Sequence, residues 1–146
     1  MLRSINPLLS GELLKIMDQM GHGDVLGLVD RNFPAFRYRQ PVISLRGIGT
    51  EAAIDAILSA FPLDSYVTDS IRRMEIDAEP DSVNQPTQAV IAAAKRWESF
   101  PVPVIGVERF AFYEQAAAAT AFVQTGETVG YACYLLRKGV IPAASR

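Results

Sequence analysis

The chain has 146 residues, among them one histidine (His22), one cysteine (Cys133) and one tryptophan (Trp97). A single histidine and a single cysteine exclude an intrachain disulfide and any zinc site built from those two residue types alone, which points to a reducing cytoplasm rather than a secreted, stapled fold. Fourteen basic against 16 acidic residues leave a net charge of −2, which argues against a general nucleic-acid binder.

The composition, 49% hydrophobic and 21% charged, is that of an ordinary globule. A chain of this length is read as a single domain over residues 1–146, able to bury roughly two-thirds of its unfolded surface. No apolar run approaches the roughly 20 residues that span a bilayer, so no membrane contact is expected. Residues 1–7 lack the apolar core of a signal peptide. There is no internal repeat, low-complexity tract or linker.

Ser10 predicts a helix start, with Leu13, Ile16, Met17 and Met20 spaced along one face and Gly21 as the stop. Residues 25–29 form a short apolar run that reads as a buried strand, with Asp30 at its end. Residues 31–40 read as a loop and 42–45 as a second strand. Thr50 is expected to cap a helix running to Phe61, with Ala53, Ile54, Ile57, Leu58 and Phe61 inward and Pro62 as terminator. Residues 71–76 read as a strand and 77–86 as an exposed loop. Thr87 is expected to cap a helix to Glu98, with Val90, Ala93, Ala94 and Trp97 on one face. A strand over 102–107, a helix over 110–119 and two last strands over 121–124 and 131–136 complete the order. Strands alternating with helices of this length imply an α/β fold, a three-layer α/β/α sandwich around a mixed, largely parallel sheet.

His22 lies between two glycines beyond a helix C-terminus, where no apolar pattern requires it. It reads either as a general acid/base or as a surface histidine in a glycine-rich turn. Asp30 closes a strand, where a carboxylate can grip a ligand hydroxyl or simply cap an Asx-turn. Arg109, following the strand over 102–107, can donate paired hydrogen bonds to vicinal hydroxyls or sit in a surface salt bridge. Arg37 and Arg39 read as a solvated loop or as an anion-tolerant lip. Tyr131 offers a phenol that donates or accepts. Cys133 has no spacing that pairs it with His22, so it reads as inert packing rather than a nucleophile. Phe110, Phe112 and Tyr113 read as core. Gly21-x-Gly23 and Gly47-x-Gly49 are fragments of a dinucleotide fingerprint without its strand-loop-helix order.

Several stretches in order along the chain carry a resemblance. They are 5–10 (INPLLS) with Glu12-Leu13-Leu14, Met20-Gly21-His22-Gly23-Asp24, Asp30 with Asn32-Phe33-Pro34-Ala35, and Leu63-Asp64-Ser65-Tyr66. Arg109-Phe110-Ala111-Phe112-Tyr113-Glu114, Thr125-Gly126-Glu127, Tyr131 and Leu135-Leu136-Arg137-Lys138-Gly139-Val140 follow. Together they resemble the ribose pyranase and fucose mutarotase family, with the Asp-Ser-Tyr and Arg-Phe-Ala-Phe-Tyr-Glu stretches closer to its L-fucose mutarotase branch.

The resemblance implies an isomerase without metal or organic cofactor that interconverts the anomers, or the pyranose and furanose forms, of a free monosaccharide. It gives His22 the acid/base role; ring opening needs a second proton transfer, for which Tyr131 or an ordered water is expected to help. The resemblance gives Asp30, Arg109, Tyr131, Ala132 and Cys133 substrate binding. It further implies a homo-oligomeric ring, a decamer, whose sites are completed by a neighbouring subunit. Cys133 departs from the family pattern, which has asparagine after Tyr-Gly or Tyr-Ala. A thiol is a weak donor and acceptor where an amide bonds both ways. The competing expectations are a non-catalytic sugar-binding or transport-accessory protein, and an oligomeric scaffold without sugar affinity.

Overall fold

The computed structural model describes residues 1–144. Six strands form one sheet in the order β2-β5-β1-β6-β3-β4. They are β1 (Val25–Val29), β2 (Val42–Leu45), β3 (Ile71–Met74), β4 (Val104–Val107), β5 (Ala121–Thr125) and β6 (Tyr134–Arg137). β1 pairs in parallel with β5, β2 with β5, and β3 with β4, whereas β6 lies antiparallel between β1 and β3. Five strands therefore point one way and β6 alone is reversed, which is the mixed, largely parallel sheet expected. β1 and β5 are buried along their whole length, as central strands of a two-sided sheet must be.

Helices α1 (Gly11–Gln19), α2 (Thr50–Leu58) and α3 (Gln85–Trp97) cover one face. Their Leu13, Met17, Ile54, Ile57, Val90 and Ala93 pack on Leu26, Leu28, Val123 and Leu136 of the sheet. Helix α4 (Arg109–Ala116) and a 3-10 turn over Ala35–Tyr38 cover the other, where Phe112, Ala116 and Phe33 meet Val29, Phe122 and Leu135. The layering is α/β/α.

Several local expectations shift. Helix α3 begins at Gln85 and not Thr87, because the Asn84 side chain accepts the Thr87 N–H at 3.0 Å and Pro86 occupies the first turn, where its missing N–H costs nothing. The Thr87 hydroxyl instead bonds the buried Tyr134 hydroxyl at 2.8 Å. Thr50 does not cap α2 either. Gly49 is the cap residue, and the Thr50 N–H donates to the Glu127 carboxylate, 77 residues away, at 3.1 Å. The expected inward residues of this helix are buried through Phe61, although regular helix ends at Leu58. Trp97 does not face the core. It is 43% exposed, with its indole N–H donating to Asp55.

The last strand starts at Tyr134 rather than at residue 131. Tyr131 adopts a left-handed φ of 62°, which an extended strand cannot accommodate.

Candidate active site

Asp30 follows β1, Asp77 follows β3, Arg109 follows β4, and Tyr131 and Cys133 precede the reversed β6. Five parallel strands thus deliver their carboxyl ends to one edge, the usual place for a ligand in an open α/β sheet. A cavity of about 370 Å³ opens there, lined by Asp30, Asp77, Arg109, Tyr113, Tyr131 and Cys133, with Phe33 and Met74 as its apolar wall. Four of the residues expected to bind a ligand therefore converge. Ala132 does not line it; it is fully buried, and its backbone N–H helps hold Asp30.

Asp30 is fixed from several sides. Its Oδ1 accepts the Asn32 N–H at 2.9 Å in an Asx-turn, and its carboxylate also lines the cavity. Burial raises its pKa above 3.8, opposed by the N–H groups of Asn32, Phe33 and Ala132 and by the Cys133 thiol. The loop after β1 is clamped by the buried Gln124 amide, which donates to the Phe33 carbonyl at 2.8 Å. Cys133 is buried and faces the Asp30 carboxylate, and both effects push its thiol pKa well up. A thiol held protonated in this way does not act as a nucleophile.

Arg109 is the first residue of α4, whose N-terminus is capped by Glu108, accepting from the Phe110 and Ala111 N–H groups. The Arg109 Nε donates to Asp77 at 3.0 Å and the guanidinium lies 4.4 Å from the centre of the Phe110 ring. Arg109 is thus in the surface salt bridge expected of it, and it also lines the cavity. Of the aromatic trio, Phe112 is core, Tyr113 lines the cavity and Phe110 is 61% exposed. The left-handed backbone at Tyr131 costs about 1–2 kcal/mol for a side chain with Cβ. It places Tyr131 at the cavity wall. Arg37 and Arg39 do not line the cavity; Tyr38 between them packs on Phe33 and donates to the Tyr113 carbonyl.

His22 sits elsewhere. Together with Met20, Pro62, Lys138 and Ile141 it lines a second cavity of about 530 Å³ beyond the amino end of β1. Gly23, at φ 88°, and the Asp24 carboxylate, accepting the Gly21 N–H at 2.7 Å, form its turn. His22 Nε2 lies 3.0 Å from Asp64 Oδ2, and the ring packs edge-on against Tyr66 at 5.9 Å. Asp64 is buried; its other oxygen accepts the Tyr66 N–H and its carbonyl accepts the Ser70 hydroxyl. With Nε2 committed to Asp64, Nδ1 is the nitrogen that can take or give a proton.

Sequence reasoning assigned no role to Asp64, Asp77, Gln124 or Glu127. The signal for Asp64 was an acid directly after the apolar run Phe61-Pro62-Leu63. Nothing local marks Asp77 or Gln124, which bond partners far along the chain, while Glu127 is marked only by the Thr125-Gly126-Glu127 stretch.

The fold is a small single-sheet α/β protein with a polar cavity at the carboxyl edge of its sheet. The chain belongs to the RbsD / FucU transport protein family, whose model matches residues 3–141. It is similar to an L-fucose mutarotase of Actinobacillus pleuropneumoniae serotype 5b (strain L20), 40% identical over 144 residues, covering 97% of this chain and 99% of that one. In structure it is similar to a fucose mutarotase from Streptococcus pneumoniae in complex with L-fucose. There the TM-score is 0.88 at 33% identity, with 97% of this chain and 100% of that chain covered. FucU from Bifidobacterium longum superposes with a TM-score of 0.89 at 34% identity, covering 96% and 100%.

Proposed function

We propose that this protein is a monosaccharide mutarotase of the L-fucose type, and that its working site joins the two cavities across a contact between two copies. The observation that carries the shared site is the position of His22 and Asp30 beyond opposite ends of β1. The strand's five residues alone span roughly 16 Å at about 3.3 Å per residue, too far for one small sugar to touch both. His22 of a second copy brought to the cavity of Asp30, Arg109 and Tyr131 completes an acid/base site. Exposed Tyr66 and Ile141 beside His22, 74% and 79% exposed, supply apolar surface for that contact. A closed ring, with ten copies as the expected number, satisfies it for every subunit.

Ring opening of a hemiacetal takes the proton from the anomeric hydroxyl and delivers one to the ring oxygen, breaking the bond between that oxygen and the anomeric carbon. The aldehyde rotates about its first carbon–carbon bond, and reclosure reverses both proton transfers on the other face. His22 Nδ1 moves one proton and the Tyr131 phenol the other. Asp30 accepts from, and Arg109 donates to, the remaining hydroxyls. Acid/base catalysis of about 10²–10⁴-fold suffices, because the reaction already proceeds in water. The free Cys133 supports a reducing cytoplasm as the working compartment.

The test is anomer exchange by NMR saturation transfer on L-fucose, D-ribose and D-galactose. Exchange above the buffer rate that vanishes in His22→Ala is the expected result. Sugar binding with exchange at the buffer rate overturns it in favour of a non-catalytic sugar-binding protein.

A further inference from the structure

The cavity at the carboxyl edge carries three charged side chains, Asp30, Asp77 and Arg109. One guanidinium thus faces two carboxylates. Arg109 reaches Asp77 through Nε, at 3.0 Å and 3.3 Å from the two carboxylate oxygens, and the Tyr113 side chain also bonds the guanidinium, so the terminal N–H groups that Asp77 does not take are shared between Tyr113 and the cavity. A shallow cleft next door shares Asp77 and Arg109 and adds Glu75 and Glu108, so the arginine sits in acidic surroundings.

The turn that presents Asp77 is held in place. The Glu79 N–H donates to the Ile76 carbonyl at 2.9 Å, and the Arg73 guanidinium donates to the Pro80 carbonyl at 2.8 Å. Ala78, next to Asp77, has a φ of 64°, a left-handed conformation that alanine adopts only at a cost. Backbone strain retained beside a cavity residue is a pointer to a functional constraint.

We propose that Asp77 is a positioning and specificity residue. It holds Arg109 by Nε so that the terminal nitrogens meet hydroxyls, and it neutralises the arginine so that the cavity takes uncharged sugars and rejects sugar acids. The proposal rests on the reading of this cavity as a sugar site. An anionic group at the Arg109 fork meets Asp77 and Asp30 within the same cavity, and like charges closer than the Debye length of about 8 Å repel, an effect solvent weakens here because Arg109 and Asp77 are 32% and 48% exposed. A neutral hydroxyl pair loses nothing.

The test compares D-galactose with D-galacturonate, which differ at C6, by NMR titration of the full-length protein, so that turnover is not needed. The readout is the ratio of the two dissociation constants. Wild-type protein is expected to prefer galactose. Asp77→Asn and Asp77→Ser are each expected to shift the ratio towards galacturonate on the order of 10-fold, while the charge-conserving Asp77→Glu stays within about twofold of wild type. In L-fucose exchange, Asp77→Asn is expected to raise KM with kcat little changed, because Asp77 acts through a binding group. Galactose bound with an unchanged ratio in both charge-removing variants overturns the proposal alone. A wild-type protein that binds neither sugar overturns the sugar-site reading, and this proposal with it.

Discussion

His22 Nε2 and Asp64 Oδ2 stand 3.0 Å apart, a half-exposed imidazole against a buried carboxylate. The carboxylate favours the proton on Nε2, which leaves Nδ1 as the nitrogen that carries out the proposed proton transfer. Asp64→Asn keeps the shape and removes the charge that favours an Nε2–H. Its L-fucose exchange is expected to fall by part of the roughly 10²–10⁴-fold that acid/base catalysis supplies. Saturation transfer checks this, with unchanged circular dichroism showing that the fold survives.

Gly139 guards the same pair from behind. A Cβ added there would meet the Leu63 carbonyl oxygen at 2.3 Å and the Asp64 Cα at 2.9 Å, and both are backbone atoms. Gly139→Ala must therefore move the 63–64 segment. The expected outcome is loss of exchange together with a lower Tm, whereas sugar affinity at the Asp30 cavity, beyond the far end of β1, stays close to wild type. Parallel sugar titration and exchange measurements separate the two effects.

Two carboxylates predict opposite dependences on pH. The folded-state pKa of Asp30 is raised above 3.8, chiefly by burial, so its favourable contribution is present below that pH and lost as pH rises through the raised value. Asp30→Asn is accordingly expected to melt at or above the wild-type temperature at pH 7, with the difference vanishing towards pH 3, while sugar binding weakens at least several-fold. Thermal unfolding across pH 3–8 checks the sign.

Burial also pushes the Glu127 carboxyl up, but the N–H groups of Val129, Thr50 and Thr128 together outweigh it and hold its pKa below 4.5. Its contribution is present above that pH and lost as pH falls through the lowered value. Glu127→Gln turns an NH2 towards one of these donors and is expected to cost about 1–2 kcal/mol at pH 7, at the low end for a partly exposed group. The deficit should shrink below pH 4 in the same unfolding series.

The proposed division of the site between two copies predicts complementation. His22→Ala and Tyr131→Phe each disable a different half, so each alone is expected to exchange L-fucose near the buffer rate. Random mixing of the two mutants pairs intact halves in about one site in four, and activity should return to that level. No recovery after verified subunit exchange would place both halves in one chain.

Much of this was legible before any coordinates. The run Val25–Val29 is too short for a helix and reads as a buried strand, and it is one, as is the strand expected over 121–124, which extends to Thr125. Strand-end positions likewise brought Asp30 and Arg109 to one cavity. Tyr131 was misplaced in a strand because its left-handed backbone has no glycine to advertise it. Asn84 is hidden as a cap because residues 77–86, with two prolines, read as an exposed loop, whereas Pro86 sits in the first turn of α3. Asp77 looked like any acid in an exposed turn, since its partner Arg109 lies 32 residues on. The reach between His22 and Asp30 is a length, and only placing β1 end to end between them exposes it.

That length has a consequence for how the protein behaves when scarce. If one short strand keeps the proton-moving group and the sugar-holding groups apart, turnover per chain becomes a matter of mass action. Dilution below the dissociation constant of the assembly should silence folded, sugar-competent subunits without unfolding any of them. Their own abundance then acts as the activator.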